Sequence, residues 1–331
     1  MLCPLMSRLA AAALAVTFAP TAQSLELQWP VACNIGADCI IQNYVDHDAS
    51  RDAQDYSCGT LTYDQHNGTD IRLRSLARQK AGVDVLAAAD GTVLRVRDGV
   101  PDISVRNAEA PDVRDRECGN GLVIGHDDNL ETQYCHLAQG SVRVRPGTRV
   151  RAGAPVGRIG LSGATEYPHL HFVVRRGGKV VDPFAVDAAP GACASGRSLW
   201  SEPLRAKLAY KPSAVLNTGF APGPVTMEAI ESGDAGHRRL DPSAPALVAF
   251  TRAIGLKQGD VQRLKVTAPD GTVIADSAAP PLDRDKAQWM MFTGRKRPDA
   301  GWPTGTYNAT YEVTRGGATA LQESFSAAVV P

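Results

Sequence analysis

The sequence predicts a mainly β protein: an antiparallel β-sheet core followed by a C-terminal immunoglobulin-like (Ig-like) β-sandwich. Three observations carry this reading. Between Cys58 and Phe184 the chain runs in short β-rich stretches broken by Gly and Pro. No long helical periodicity interrupts them. From Ser213 a second series begins, in which "YNATYEV" (Tyr307 to Val313) alternates and Asp270-Gly271 marks a tight turn. That pattern suits a small antiparallel sandwich. The 331 residues are enough for about two domains. With 44% hydrophobic and 21% charged residues the chain is an ordinary packed protein, not a disordered one. A formal net charge of zero gives no global field to draw nucleic acid or an anionic membrane.

Taken in order, residues 1–24 read as a secretion signal. Arg8 gives the positive start, "LAAAALAVTF" (Leu9 to Phe18) the apolar stretch, and Ala22-Gln23-Ser24 a small-residue cleavage site. The apolar run falls short of the roughly 20 residues a membrane span needs, so no span is expected in the mature form. Cys3 precedes that run and is badly placed for lipidation. Removal leaves Cys33, Cys39, Cys58, Cys118, Cys135 and Cys193, an even set that implies disulfides in an exported chain. Many pairings are formally open. The expected ones are Cys33 with Cys39 around a tight loop, Cys118 with Cys135 across neighbouring strands, and Cys58 with Cys193. A cysteine zinc site would need a C-x-x-C pair, and there is none.

Residues 25–57 form a Cys-containing N-terminal segment, whose "DHD" (Asp46 to Asp48) suits a cation site or, more simply, a solvated acidic loop. Residues 58–186 are the β core. "VDVLAAADGTVLRVRDG" (Val83 to Gly99) reads as two strands joined at the Asp90-Gly91 turn. "GNGLVIGHDDNLETQYCHL" (Gly119 to Leu137) repeats the scheme with a turn near Asp127 to Asn129. "VRPGTRVRAGAPVGRIGLSG" (Val144 to Gly163) spaces glycines as bending or closely approaching strands require. Residues 187–212 are rich in Ala, Ser and Pro and read as a linker or a packed connecting loop. Residues 213–331 form the sandwich. It carries no catalytic cluster, and its exposed aromatics are expected to include Trp302 and Tyr307. Asn67-Gly68-Thr69 and Asn308-Ala309-Thr310 match a glycosylation pattern that means nothing in a bacterial protein.

The chemistry concentrates in histidines. In "YPHLHFVV" (Tyr167 to Val174) side chains two apart share a strand face, so His169 and His171 point together while Leu170 and Phe172 face the core. Neutral imidazole is a favoured zinc ligand, although two structural histidines bonded to backbone would explain an isolated H-x-H equally well. "HNGTD" sets His66 and Asp70 where they can converge on one ion across a turn that Gly68 relaxes. His136 closes a predicted strand in "YCHL". His47, His126 and His237 join no pattern.

With these four elements in order, residues 58–184 resemble the lysostaphin-type, or LytM-type, zinc endopeptidases of bacterial cell walls. "HNGTD" fits the family's H-x-x-x-D, "AAADGTV" its early strand turn, "QYCHL" its Y-x-H-L and "GRIGLSGATEYPHLHFVV" its Gly-rich approach to H-x-H. Cys135 inside the third element is a departure that suggests a disulfide beside the site. The resemblance implies one Zn2+ ligated by His66, Asp70 and His171. His169 would be the general base and His136 its partner near the water or the developing oxyanion. Two imidazoles and one carboxylate would leave the site at +1, preserving Lewis acidity. Peptide stems of peptidoglycan would be the substrate. Without a cell-wall sorting motif, a Gram-negative periplasm is expected, and with it direct cross-links involving D-amino acids.

Two other readings compete. A non-enzymatic wall-binding protein or amidase activator could use the same fold, yet every motif position holds a competent residue. The Gly-spaced barrel strands also suit a biotin or lipoate carrier, but no lysine lies between Ala81 and Arg176 to be modified. The N-terminal segment, residues 25–54, could cover the cleft as an inhibitory flap.

Overall fold

The computed structural model describes residues 25–331, and the expected secretion signal lies outside them. The N-terminal body contains β1 (Cys39–Asn43), β2 (Thr69–Leu73), α1 (Leu76–Lys80), β3 (Asp84–Leu86), β4 (Gly91–Arg97), β5 (Asn120–Gly125), β6 (Leu130–Leu137), β7 (Arg149–Val150), β8 (Pro155–Arg158), β9 (His169–Arg176) and β10 (Lys179–Val181). Its main antiparallel sheet runs β1-β2-β9-β6-β5-β4-β7, with β10 paired to the remaining length of β9. β9 therefore lies inside the sheet. Its Leu170, Phe172 and Val174 are buried in the core, as the alternation in "HLHFVV" requires.

The expected strands at Val83 to Gly99 exist, but they do not pair with each other. β3 pairs with β8 in a small separate sheet, while β4 pairs with β5 and β7. Ala87, Ala88 and Ala89 between them are buried, so the bend at Asp90-Gly91 carries the chain from one sheet to another instead of closing a hairpin. The turn at Asp127 to Asn129 does join a hairpin, β5 to β6, with Asp128 and Asn129 at positive φ.

Residues on both flanks complete this core. Leu27, Trp29 and Val31 pack into it from the N-terminal segment, and Leu199, Trp200 and Leu208 from residues 187–212. Trp200 is fully buried, with its ring 6.0 Å from Trp29, 5.9 Å from Phe172 and 5.5 Å from Phe184. The N-terminal segment is an edge strand and a core contributor, not a flap across the sheet. Three disulfides form, Cys33–Cys39, Cys58–Cys193 and Cys118–Cys135. The second ties the segment around Cys193 to the start of the body.

After α2 (Glu202–Arg205) come β11 (Ala214–Ala221), α3 (Met227–Ser232), β12 (Arg239–Leu240), β13 (Ala246–Leu256), β14 (Val261–Thr267), β15 (Val273–Ala278), β16 (Lys286–Lys296), β17 (Gly305–Arg315) and β18 (Ala318–Val329). They build two sheets, β11-β13-β16 and β12-β18-β17-β14-β15, around a shared core of Phe220, Leu247, Leu264, Tyr311 and Val329. Trp302 and Tyr307, expected outside, belong to this core, only 4% and 1% exposed. Strand alternation marks a face but not which face is inward. Here Tyr307 shares the inner face with Tyr311, and the Trp302 indole donates to the Ala244 carbonyl at 2.9 Å. The exposed aromatics of the sandwich are Trp289 and Phe292, both on edge strand β16.

The two bodies meet through a buried polar knot. Arg72 of β2 is fully buried and donates to Glu231 of α3 at 2.6 Å and to Gln42 of β1 at 2.6 Å. Glu231 also pairs with buried Arg252 of β13. Ile40, Leu216 and Ile254 form an apolar patch beside it. Among the described residues no helix is long and apolar enough to cross a membrane.

Two outcomes are expected. Trp200→Ala should lower unfolding free energy by about 3–5 kcal/mol, as for other large aromatic truncations in a core. A urea titration checks it, since a residue in a mere tether would shift the midpoint hardly at all. His47 pairs with Asp182 at 2.8 Å, and this hydrogen bond raises the imidazole above its ordinary value. A raised folded value means the pair stabilises fully below the unfolded value of about 6.5 and fades as pH climbs through the folded one. The stability gap between wild type and His47→Gln should be clear at acidic pH and close at alkaline pH.

Candidate metal centre

Sheet register brings the site together. Asp70 of β2 lies directly opposite His171 of β9, and Arg72 opposite His169, so these four side chains rise from one patch of the same face. His66 enters from the loop before β2, four residues ahead of Asp70. The loop is stapled by Asp46, whose Oδ1 accepts the amides of Asp48 and Gln54 and whose Oδ2 accepts that of Gln65. The "DHD" triplet thus organises backbone: Asp46 accepts three amides, and Asp48 Oδ1 accepts that of Ser50. Gly68 has a specific reason to be glycine. A Cβ there would lie 2.7 Å from His171 Cε1 and 2.9 Å from the Phe172 carbonyl oxygen.

The expected ligand trio is assembled. His66 Nε2 lies 3.2 Å from Asp70 Oδ1 and 3.2 Å from His171 Nδ1, and the last two are 2.9 Å apart. Donor atoms this close to one another suit a single ion shared among all three. The donor chemistry, two imidazole nitrogens and one carboxylate oxygen, fits zinc.

The outer atom of each ligand is also occupied, which sets the tautomers. His66 Nδ1 donates to the Tyr44 carbonyl at 2.6 Å, leaving Nε2 as a lone pair. His171 Nε2 donates to Asn67 Oδ1 at 3.0 Å, leaving Nδ1 free. Asn43 Nδ2 donates to Asp70 Oδ2 at 3.0 Å. Burial alone would raise the Asp70 carboxyl, but His169 and His66 beside it hold it well below the usual range. Burial pushes the His171 imidazole down, against the pull of Asp70.

His169 and His136 complete the cluster. His169 Nδ1 donates to the Tyr167 carbonyl at 2.9 Å, and its Nε2 faces Asp70 Oδ1 at 3.4 Å. His136 Nδ1 donates to the Ser162 carbonyl at 2.8 Å, and its ring lies 4.7 Å from that of His169. Burial, reinforced by His169 and His171, drives the His136 imidazole well below its ordinary value. His136 is thus a neutral ring with an inward lone pair, able to donate there only once protonated. It sits at φ +62°, a left-handed conformation that costs a non-glycine residue about 1–2 kcal/mol. The neighbouring Cys118–Cys135 bridge and the His136 amide bond to the Cys118 carbonyl at 2.8 Å hold that turn.

Every residue of the expected site therefore converges, and the other histidines stay outside it. His47 binds Asp182, His126 binds the Asp90 carbonyl at 2.7 Å, and His237 bridges to Phe220. Asn43, Tyr44 and Tyr167 were not foreseen. Asn67 was visible next to His66, but nothing marked it as a partner of His171.

A peptidase-type His–Asp–His centre on an antiparallel sheet defines the class. Residues 64–183 match the model of Peptidase family M23, so this segment is an M23 domain of the LytM type. It is similar to the DD-carboxypeptidase/endopeptidase Mpg of Neisseria gonorrhoeae, 34% identical over 110 residues that make up 33% of this chain and 23% of that one. It also resembles the peptidoglycan DD-endopeptidase ShyB of Vibrio cholerae, 30% identical over 122 residues, 37% of this chain and 23% of the relative. The match thus spans about a quarter of the length of these relatives. A crystal structure of a zinc containing peptidase from Vibrio cholerae overlaps 45% of this chain and 40% of its own, at 27% identity and a TM-score of 0.29.

Removing an outer partner should loosen the centre without unfolding it. Asn67→Ala and Asn43→Ala are expected to weaken zinc affinity about 10–100-fold, measured by competition with a chromophoric chelator, while Asp70→Ala should abolish stoichiometric binding.

Proposed function

We propose that the protein is an exported zinc endopeptidase that hydrolyses peptide cross-links of peptidoglycan. The observation that carries this is the convergence of three donor atoms with two further histidines, His169 and His136, whose outer nitrogens are held by backbone carbonyls. Zinc held by His66, Asp70 and His171 would supply Lewis acidity that activates water and polarises the peptide carbonyl. His169 takes the proton at Nε2, because Nδ1 is committed to Tyr167. As an imidazolium it delivers that proton to the departing amine as the C–N bond breaks and the new C–O bond remains. His136 stands next to it as a neutral ring whose Nδ1 proton is held by the Ser162 carbonyl, placing its Nε2 lone pair beside the water and the developing oxyanion. The three disulfides support an oxidising compartment, and the periplasm is the compartment proposed. Direct cross-links involving D-amino acids are the proposed bonds.

Digestion of purified sacculi, with muropeptides identified by mass spectrometry, tests the reading. His169→Ala should slow release about 10²–10⁴-fold, and His66→Ala should remove it. Full activity in both variants, or a metal-free wild type that is inert on sacculi and activates an amidase, would overturn it.

A further inference from the structure

The catalytic groups sit at the junction of two arms of one groove. The smaller arm, about 450 Å³, is lined wholly by the M23 segment and its immediate approach. The larger arm, about 790 Å³, is lined by Tyr63, His136 and His169, and a further wall comes from the C-terminal sandwich. The two arms share Tyr63, His136 and Ala164. We propose that this further wall, the stretch Arg284 to Trp289, is a substrate subsite in which Arg284 pairs with a free carboxylate of a peptide stem and Trp289 covers its apolar side.

The wall is built into the molecule. Gln288 accepts from Arg72 Nη1 at 3.3 Å, and the same guanidinium binds Glu231 and Gln42. Separating the bodies would leave that buried cation without its carboxylate, so the wall stays where it stands. Arg72 lies 3.9 Å from the centre of the Tyr167 ring, and the Tyr167 carbonyl orients His169. The subsite and the catalytic histidine are therefore referenced to one fixed group.

Its chemistry follows from what is already neutralised. Arg106 pairs with Glu166, Lys286 with Asp283 at 2.6 Å, and Asp285 with Lys257 at 3.0 Å. Among the described residues Arg284 has no ion-pair partner, and it is exposed on the groove wall. A planar guanidinium in that position suits a carboxylate. Trp289 is 42% exposed, whereas the other three tryptophans are buried, and Lys286 Nζ sits 4.8 Å from its ring centre. An indole kept at the surface beside a cation, in a groove, is a contact surface awaiting a ligand. The choice of a peptide stem rests on the endopeptidase reading above; the carboxylate chemistry rests on Arg284.

The test uses the full chain and two substrates, a cross-linked muropeptide dimer and the same dimer with its free carboxyls amidated. For wild type, amidation should raise KM about tenfold with little change in kcat. Arg284→Gln should raise KM for the free-acid dimer about tenfold and abolish the difference between the two dimers. Trp289→Ala should raise KM for both. Unchanged KM in both variants, or undiminished discrimination in Arg284→Gln, overturns the subsite. Co-sedimentation with sacculi, run in a His169→Ala background, separates the two readings because it needs no turnover. Loss of binding on adding Arg284→Gln supports the subsite even where no cleavage is seen. Binding that ignores Arg284 and is competed by peptide-free glycan strands overturns it in favour of sugar recognition.

Discussion

The antiparallel pairing of β2 with β9 is the constraint on which the rest depends. It sets Asp70 against His171 and Arg72 against His169, with the complementary residues Ile71 and Leu170 in the core beneath. Because strand side chains alternate, a slip of β9 by one residue would send both imidazoles into the apolar interior, away from Asp70. The core forbids this, since Leu170 and Phe172 would have to leave it. Packing thus enforces the geometry of the centre, and the centre needs no separate device to bring distant parts of the chain together.

The same pairing has a second product. Arg72 rises from the site face next to Asp70, but instead of joining the cluster it reaches Glu231 in the other body. A buried guanidinium is stable only with its acceptors in place. The sandwich and the sheet are consequently locked at the groove, and Tyr167 is held against that lock. Stability and site geometry share these groups, which is why the sandwich is more than an appendage attached at a boundary.

The centre was legible in the sequence because its side chains come from local patterns: a strand alternation at His169 and His171, a turn at His66 and Asp70, and a strand end at His136. Two disulfide pairs were legible for a similar reason, Cys33–Cys39 around a tight loop and Cys118–Cys135 across strands, whereas Cys58 and Cys193 stand 135 residues apart with no local pattern to join them. Other features depend on partners far along the chain. Asn43 and Tyr44 meet the site only through the register of β1 on β2, which no pattern in "CIIQN" announces. The Asp90-Gly91 signal reports a bend truthfully but cannot say which strand β4 will pair with. Trp200 lies in an Ala-, Ser- and Pro-rich stretch whose composition resembles a tether, and one large indole decides its fate. For Trp302 and Tyr307 alternation defines two faces, and only the opposing sheet selects the inner one.

Each imidazole of the centre spends its outer nitrogen on a protein acceptor: His66 on Tyr44, His171 on Asn67, His169 on Tyr167 and His136 on Ser162. The rings are thereby prevented from swivelling to suit a visitor. A calcium ion, which wants about six to eight oxygens, would find one carboxylate oxygen and a pair of nitrogens that cannot be turned away. Magnesium would fare no better with so few hard donors. For the metal centre proposed here, discrimination among cations would accordingly be a matter of inventory, decided by which elements face inward before any ion arrives.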